Sequence, residues 1–155
     1  MRKVVVISGH VNIIHRGHIE CMQLAKEFAG SDGLVYFIVN SDRQSILKKG
    51  FSFHPEEDRL AVVSAIRFVD RAFLAIDEDR SVRKTLQKMC DVLPEGFKPT
   101  HFANGGDVTA ASGCAEEEVC KMNGIELVYG LGDKVQSSTW ILEKSVKEAY
   151  KVLYP

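Results

Sequence analysis

Lys3-Val4-Val5-Val6-Ile7-Ser8-Gly9-His10-Val11-Asn12-Ile13-Ile14-His15-Arg16-Gly17-His18 is the stretch whose reading decides the fold. Residues 3–8 form a short β-branched run closed by Gly9, the pattern of a strand buried on both faces and followed by a tight loop. Beyond the loop, Ile14, His18, Cys21, Met22, Ala25, Phe28 and Ala29 recur at helical spacing on one side until Gly30. A strand, a glycine-bearing loop and a one-sided helix therefore open the chain.

The same rhythm continues downstream. A second strand at 34–39 leads into Asn40-Ser41-Asp42 and a polar loop running through Lys48 and Lys49 to Gly50. Residues 56–67 read as a helix opened by Pro55, with acidic residues in the first turn where a helix dipole favours them. A strand near 72–76, a helix at 81–92, a strand at 101–103, a helix around 116–123 and a strand at 126–129 follow. The last helix begins after Ser137-Ser138-Thr139 and carries Leu142, Val146, Ala149 and Leu153 on one stripe.

This alternation predicts an α/β fold: a Rossmann-like, doubly wound parallel sheet of five strands, with helices on both faces and a ligand site beyond the carboxyl ends of the strands. No internal repeat or low-complexity linker interrupts it. At 155 residues, 45% of them apolar and 26% charged, residues 1–155 fit a single domain.

The balance of 20 basic and 21 acidic residues, a net charge of -1, gives the molecule no reason to seek nucleic acid or an anionic membrane. Any anion site must be local. No apolar run is long enough to span a bilayer and the opening residues lack a secretory leader, so a soluble, cytoplasmic protein is expected. Cys21, Cys90, Cys114 and Cys120 lack the paired spacings of a zinc site and read as reduced core thiols.

Three polar loops, 9–18, 40–49 and 104–107, each follow a strand and are expected to meet at one sheet edge. Gly9 lets backbone approach a ligand, and His15 and His18 lie three apart at a helix start with Gly17 between them. Free N–H groups and the partial positive charge there favour a phosphate, while two imidazoles could donate to oxygens whose charge grows during phosphoryl transfer. The plain alternative is that His15 caps the helix and His18 packs beneath it. A zinc site built from His10, His15, His18 and Cys21 would leave the glycines and the distant motifs unexplained, and no metal ligands are assigned. Ser137-Ser138-Thr139 reads either as a second anion cradle or as an ordinary N-cap.

The segment Gly9-His10-Val11-Asn12-Ile13-Ile14-His15-Arg16-Gly17-His18 resembles the signature Gly-x-Phe-Asp-x-x-His-x-Gly-His of the cytidylyltransferase-like nucleotidyltransferases. The spacing is kept, with Val11 and Asn12 in place of Phe and Asp. The resemblance extends through Asp42, Lys48-Lys49, Glu57-Asp58-Arg59, residues 66–70 and Asn104-Gly105-Gly106-Asp107. It ends at Lys134-Val135-Gln136-Ser137-Ser138-Thr139-Trp140-Ile141, which is similar to the end motif of glycerol-3-phosphate cytidylyltransferase-like proteins but lacks their Arg.

The resemblance implies transfer of a nucleoside monophosphate from a nucleoside triphosphate to a small phosphorylated metabolite, such as a polyol or sugar phosphate, with Mg²⁺ on the phosphates. It favours CTP. An ATP-using adenylyltransferase of the FAD-synthetase or sugar-phosphate type is the alternative, and a catalytically silent nucleotide sensor is the reading of another class. His15, His18, Lys48 and Lys49 are implied to be catalytic. Ser8, Gly9, His10, Val11, Gly17 and Arg59 are implied to bind nucleotide, together with Asn104, Gly106, Asp107 and the later Lys134, Gln136, Ser137, Ser138 and Thr139. The family also implies a homodimer, and the length leaves no room for transfer-RNA recognition.

Overall fold

The computed structural model describes residues 1–106 and 108–155. Five strands form one parallel sheet: β1 (Val4–Gly9), β2 (Leu34–Val39), β3 (Arg71–Leu74), β4 (His101–Ala103) and β5 (Glu126–Val128), in the spatial order β3-β2-β1-β4-β5. Six helices connect or follow them: α1 (Arg16–Ala29), α2 (Asp42–Lys49), α3 (Glu56–Ser64), α4 (Arg83–Val92), α5 (Glu117–Met122) and α6 (Ser138–Leu153).

The period-two geometry of β1 sorts its side chains into two cores. Val4 and Val6 join Tyr36, Ile38 and Phe102 beneath Leu86 and Met89 of α4 and Val119 and Cys120 of α5. Val5 and Ile7 join Val35, Phe37 and Val39 beneath Met22, Ala25 and Ala29 of α1 and Val63 of α3. Both faces of the sheet are thus covered, which is why the central strands read as uninterrupted apolar runs.

Strand order reverses direction between β1 and β4, which are neighbours in space but not in sequence. In open parallel sheets the crevice at such a reversal, outside the carboxyl ends, is where ligands bind. Here the loops after β1 and β4 bound that crevice.

The structure moves several expected boundaries. The first helix starts at Arg16 rather than Ile14, with His15 as its cap, and α3 stops at Ser64 rather than Arg67. The polar loop expected at 40–49 is mostly the helix α2, closed by Gly50 in the left-handed conformation at φ 81°. It has no apolar stripe to betray it, because its buried residues are Gln44 and Ser45. Gln44 is fully satisfied: Oε1 accepts from Asn40 Nδ2 and Ser41 N, and Nε2 donates to the carbonyls of Asp79 and Ser81.

Candidate functional site

The chain leaves β1 through an uncommon turn. Val11 is buried and adopts φ 46°, a left-handed conformation that strains a β-branched residue. Two clamps hold it there. Arg59 of α3, with no exposed surface, donates from Nη1 to the carbonyls of His10 and Asn40, each at 2.6 Å. Its Nε donates to the carbonyl of His54 at 2.7 Å and its Nη2 to the Asp42 carboxylate at 2.8 Å. On the other side of the turn, His54 Nδ1 donates to the carbonyl of Asn12 at 2.8 Å. Strain of this kind persists only where the surroundings over-determine it.

The resemblance implied that Arg59 binds nucleotide; in the structure its guanidinium is a buried strut beneath the loop and does not line the cleft. Beside it, Asp42 is held below the usual carboxylate range: hydrogen bonds from Ser52, Arg59 and the Glu56 amide outweigh desolvation, the largest single influence, which acts the other way.

At the start of α1 the histidines cap the helix, and both also line the cleft. His15 caps the helix, its Nδ1 accepting from Gly17 N at 3.1 Å, and His18 Nδ1 accepts from His15 N at 3.3 Å. The rings stack with centroids 3.8 Å apart. A nitrogen that accepts from an amide carries no proton, so each neutral ring keeps its hydrogen on Nε2. Burial lowers His15, and burial with the adjacent His15 and Lys49 pushes His18 down to about 4. At neutral pH the pair therefore presents two uncharged Nε2–H donors. Gly17 makes this possible, since a Cβ there would stand 3.0 Å from the His15 ring.

The opposite wall is the carboxyl end of α2. Lys48 and Lys49 occupy its last turn, where the helix dipole favours cations. Lys49 Nζ donates to Thr139 Oγ1 at 3.2 Å. Partial desolvation and the nearby Lys49, Arg80 and Lys134 hold Lys48 below the usual lysine range. His10, whose Nδ1 lies 3.0 Å from Ser45 Oγ, is pushed down to about 3 by burial and then by Lys48, Arg59, Lys49 and Arg80. Lys48, Lys49, Arg80 and Lys134 thus concentrate positive charge on a molecule of net charge -1, an arrangement suited to an anion.

The third wall is the start of α6. Ser137 caps it by accepting from Trp140 N, and Gln136 Oε1 accepts from Ser137 N. Ser138 Oγ accepts from Ile13 N and donates to the carbonyl of Ile13, both at 3.1 Å, joining residues 125 apart in sequence. The Lys134 ammonium lies 5.5 Å from the centre of the Trp140 ring. At the floor, a Cβ on Gly105 would collide with the Leu131 carbonyl, so only glycine lets the end of β4 meet the segment after β5.

These walls enclose a cleft of about 590 Å³. Ser8, Gly9, His10 and Val11 line it from the first loop, with Gly17, His15 and His18 from α1. Lys48, Lys49, Gly106, Lys134, Gln136, Ser137, Ser138 and Thr139 complete the expected set. Arg59 and Asn104 stand off the wall, and Asp107 lies outside the described residues. Asn104 instead ties β4 to the β5 end, its N donating to Val128 O and its O accepting from Leu131 N.

Sequence reasoning did not assign Asn12, Phe37, Gly105 or Trp140, all on the wall. Trp140 directly follows the Ser/Thr motif, and that adjacency was the available signal. Cys21 also lines the cleft, and burial with Glu20 pushes its thiol up to about 11, an unreactive state. Among the described residues no three of His, Cys, Asp and Glu are grouped as a metal site requires, and no helix is long and apolar enough to cross a membrane.

Comparison with known proteins agrees with this geometry. The cytidylyltransferase-like family model matches residues 6–141. The chain belongs to the cytidylyltransferase-like family. That places it among nucleotidyltransferases and spans every wall of the cleft. Within it, the chain is 35% identical over 82 residues to a FAD synthase of Methanopyrus kandleri, covering 53% of this chain and 55% of that protein. It is 34% identical over 115 residues to the bifunctional protein HldE of Photorhabdus laumondii, covering 72% of this chain and 23% of that one. The match thus spans about half of the first relative and a quarter of the second.

The same fold recurs in a lipopolysaccharide core biosynthesis protein from Thermoplasma volcanium. That structure matches with a TM-score of 0.62 at 21% identity, over 84% of this chain and 94% of that one.

Proposed function

We propose that this cleft transfers a nucleoside monophosphate from a nucleoside triphosphate to a phosphorylated small molecule. The observation that carries the reading is the stacked His15–His18 pair, two neutral rings fixed with Nε2–H outward in a cleft ringed by lysines. An acceptor phosphate oxygen attacks the α-phosphorus, the bond to the bridging oxygen of the β-phosphate breaks, and pyrophosphate leaves with that electron pair. A phosphate nucleophile needs no general base.

The imidazoles donate to α-phosphoryl oxygens, whose charge is most concentrated in the transition state. Lys48, Lys49 and Lys134 hold the leaving and accepting phosphates, and the free N–H groups at the starts of α1 and α6 cradle them. Magnesium held on the triphosphate's own oxygens would neutralise charge there.

The motifs favour CTP, whereas the FAD synthase relative, named for an adenine dinucleotide product, favours ATP as the first donor to test. Exposed Val146, Tyr150 and Leu153 on α6 support a homodimer, which sedimentation would check.

The deciding experiment measures pyrophosphate release with each of four nucleoside triphosphates against polyol, sugar and flavin phosphates. Release with one donor and one acceptor class is expected. Tight triphosphate binding without release from any pair would favour the silent sensor.

A further inference from the structure

Asn12 has no task in the reaction just described, yet it occupies the most constrained place in the first loop. The residue is 2% exposed and lies on the cleft wall, and neither Oδ1 nor Nδ2 has a hydrogen-bond partner among the described residues. Its backbone cannot drift to find one. The carbonyl of Asn12 is taken by His54, that of His10 by Arg59, and both polar groups of Ile13 by Ser138.

A desolvated carboxamide with both ends unpaired is costly, and the strained Val11 stands immediately before it. An unpaired carboxamide beside a turn that the fold clamps in strain marks a place kept for a ligand. The chemistry narrows the ligand further. The carboxamide offers one donor group and one acceptor, both without charge, and an occupant that satisfies it must meet both. Phosphoryl oxygens, however, satisfy only Nδ2. Oδ1 needs a donor, and a hydroxyl is what a phosphorylated metabolite supplies.

We propose that Asn12 is a substrate-binding residue of the cleft. Its Nδ2 donates to a phosphoryl oxygen, and its Oδ1 accepts from a hydroxyl beside that phosphate on the same acceptor ester. The assignment rests on the nucleotidyl-transfer reading for the acceptor's role, and it names the acceptor as a hydroxylated phosphate monoester rather than a bare or alkyl phosphate.

The test uses Asn12→Leu, which removes both polar ends at similar shape, and Asn12→Asp, which keeps the shape but exchanges the donor for charge. Ligand-free melting comes first. Asn12→Leu is expected to melt at or above the parent protein, because it deletes two unpaired buried groups.

Calorimetric titrations then use Mg·ATP, Mg·CTP, glycerol 3-phosphate, a pentose phosphate and methyl phosphate, the esters with and without a saturating α,β-methylene triphosphate. The parent is expected to prefer a hydroxylated ester over methyl phosphate by at least about tenfold, the worth of one or two hydrogen bonds. Asn12→Leu should lose that preference, and Asn12→Asp, which keeps the oxygen that meets the hydroxyl, should retain it.

A Leu variant that keeps the preference, or one that melts several degrees lower with unchanged affinities, overturns the proposal, as does a parent without the preference. Failure of both triphosphates to bind the parent instead sinks nucleotidyl transfer, and Asn12 then stands or falls on the ester titrations alone.

Discussion

Two helix starts meet at the cleft and are anchored in opposite ways. That of α1 is built into the core: Met22, Ala25 and Ala29 are buried, and the preceding turn is clamped from below by Arg59 and His54. That of α6 is tethered. Ser138 is its buried residue, Trp140 is 50% exposed, and its attachment to the rest of the site runs through the Ser138–Ile13 pair and the Lys49–Thr139 bond. One side of the site thus fixes the geometry of the reacting centre. The other, with few buried apolar contacts, belongs to the lower-stability end of the molecule.

The sharpest way to break the contrast is to remove the strut. Arg59→Met should destabilise the fold by about 3 kcal/mol or more, because three carbonyls and the Asp42 carboxylate lose their buried partner. In a chain of this length that is roughly a 6–12 °C fall in Tm by calorimetry. An Arg59→Met protein that melts with the parent would show that the turn holds itself.

Next in size is His18→Ala, expected to cut kcat by about a hundredfold to a thousandfold, the usual cost of one preorganised donor, while far-UV circular dichroism stays that of the parent. Full turnover in this variant removes the imidazoles from the mechanism.

Acid should act on the core-anchored side. His10 and His18 are held at about 3 and about 4, so below pH 6.5 the unfolded chain binds protons that the folded chain refuses. Stability is full above pH 6.5 and declines progressively toward pH 4, and His10→Gln should flatten part of that slope in denaturant titrations followed at several pH values.

Smaller effects belong to the tethered side. Ser138→Ala forfeits both bonds to Ile13 and is expected to cost about 1–2 kcal/mol, with a rise in KM exceeding the change in kcat. Lys49→Ala should leave stability within about 0.5 kcal/mol while weakening triphosphate binding and reducing its dependence on salt in titrations at two ionic strengths.

The two sides were also unequally legible in the sequence. Val4 to Ile7 and Leu34 to Val39 announce themselves because burial on both faces demands unbroken apolar runs, and the strand at 101–103 coincides with its expected bounds. The helix α2 was hidden, because it packs through Gln44 and Ser45 instead of an apolar stripe. The motifs pointed to the cleft's lining, since glycine, histidine and hydroxyl residues at helix starts carry their physical reason locally.

What local pattern could not show was anything decided by distant partners. Nothing in the pattern around Arg59 marks it as a strut, because its four acceptors lie at His10, Asn40, Asp42 and His54. Asn12 looked like a mere departure from a signature because its isolation within the fold is visible only in three dimensions.

The strut at Arg59 has a further consequence for how such a molecule can diverge. A single guanidinium wires together the backbones at His10, Asn40 and His54, so none of those loops can be exchanged or lengthened without unseating the other two. They must be inherited as one block. The start of α6 is tied to the rest of the site by separate side-chain bonds, Ser138 to Ile13 and Thr139 to Lys49, which can change one at a time, and a lineage adapting this scaffold to a new acceptor has its freedom there.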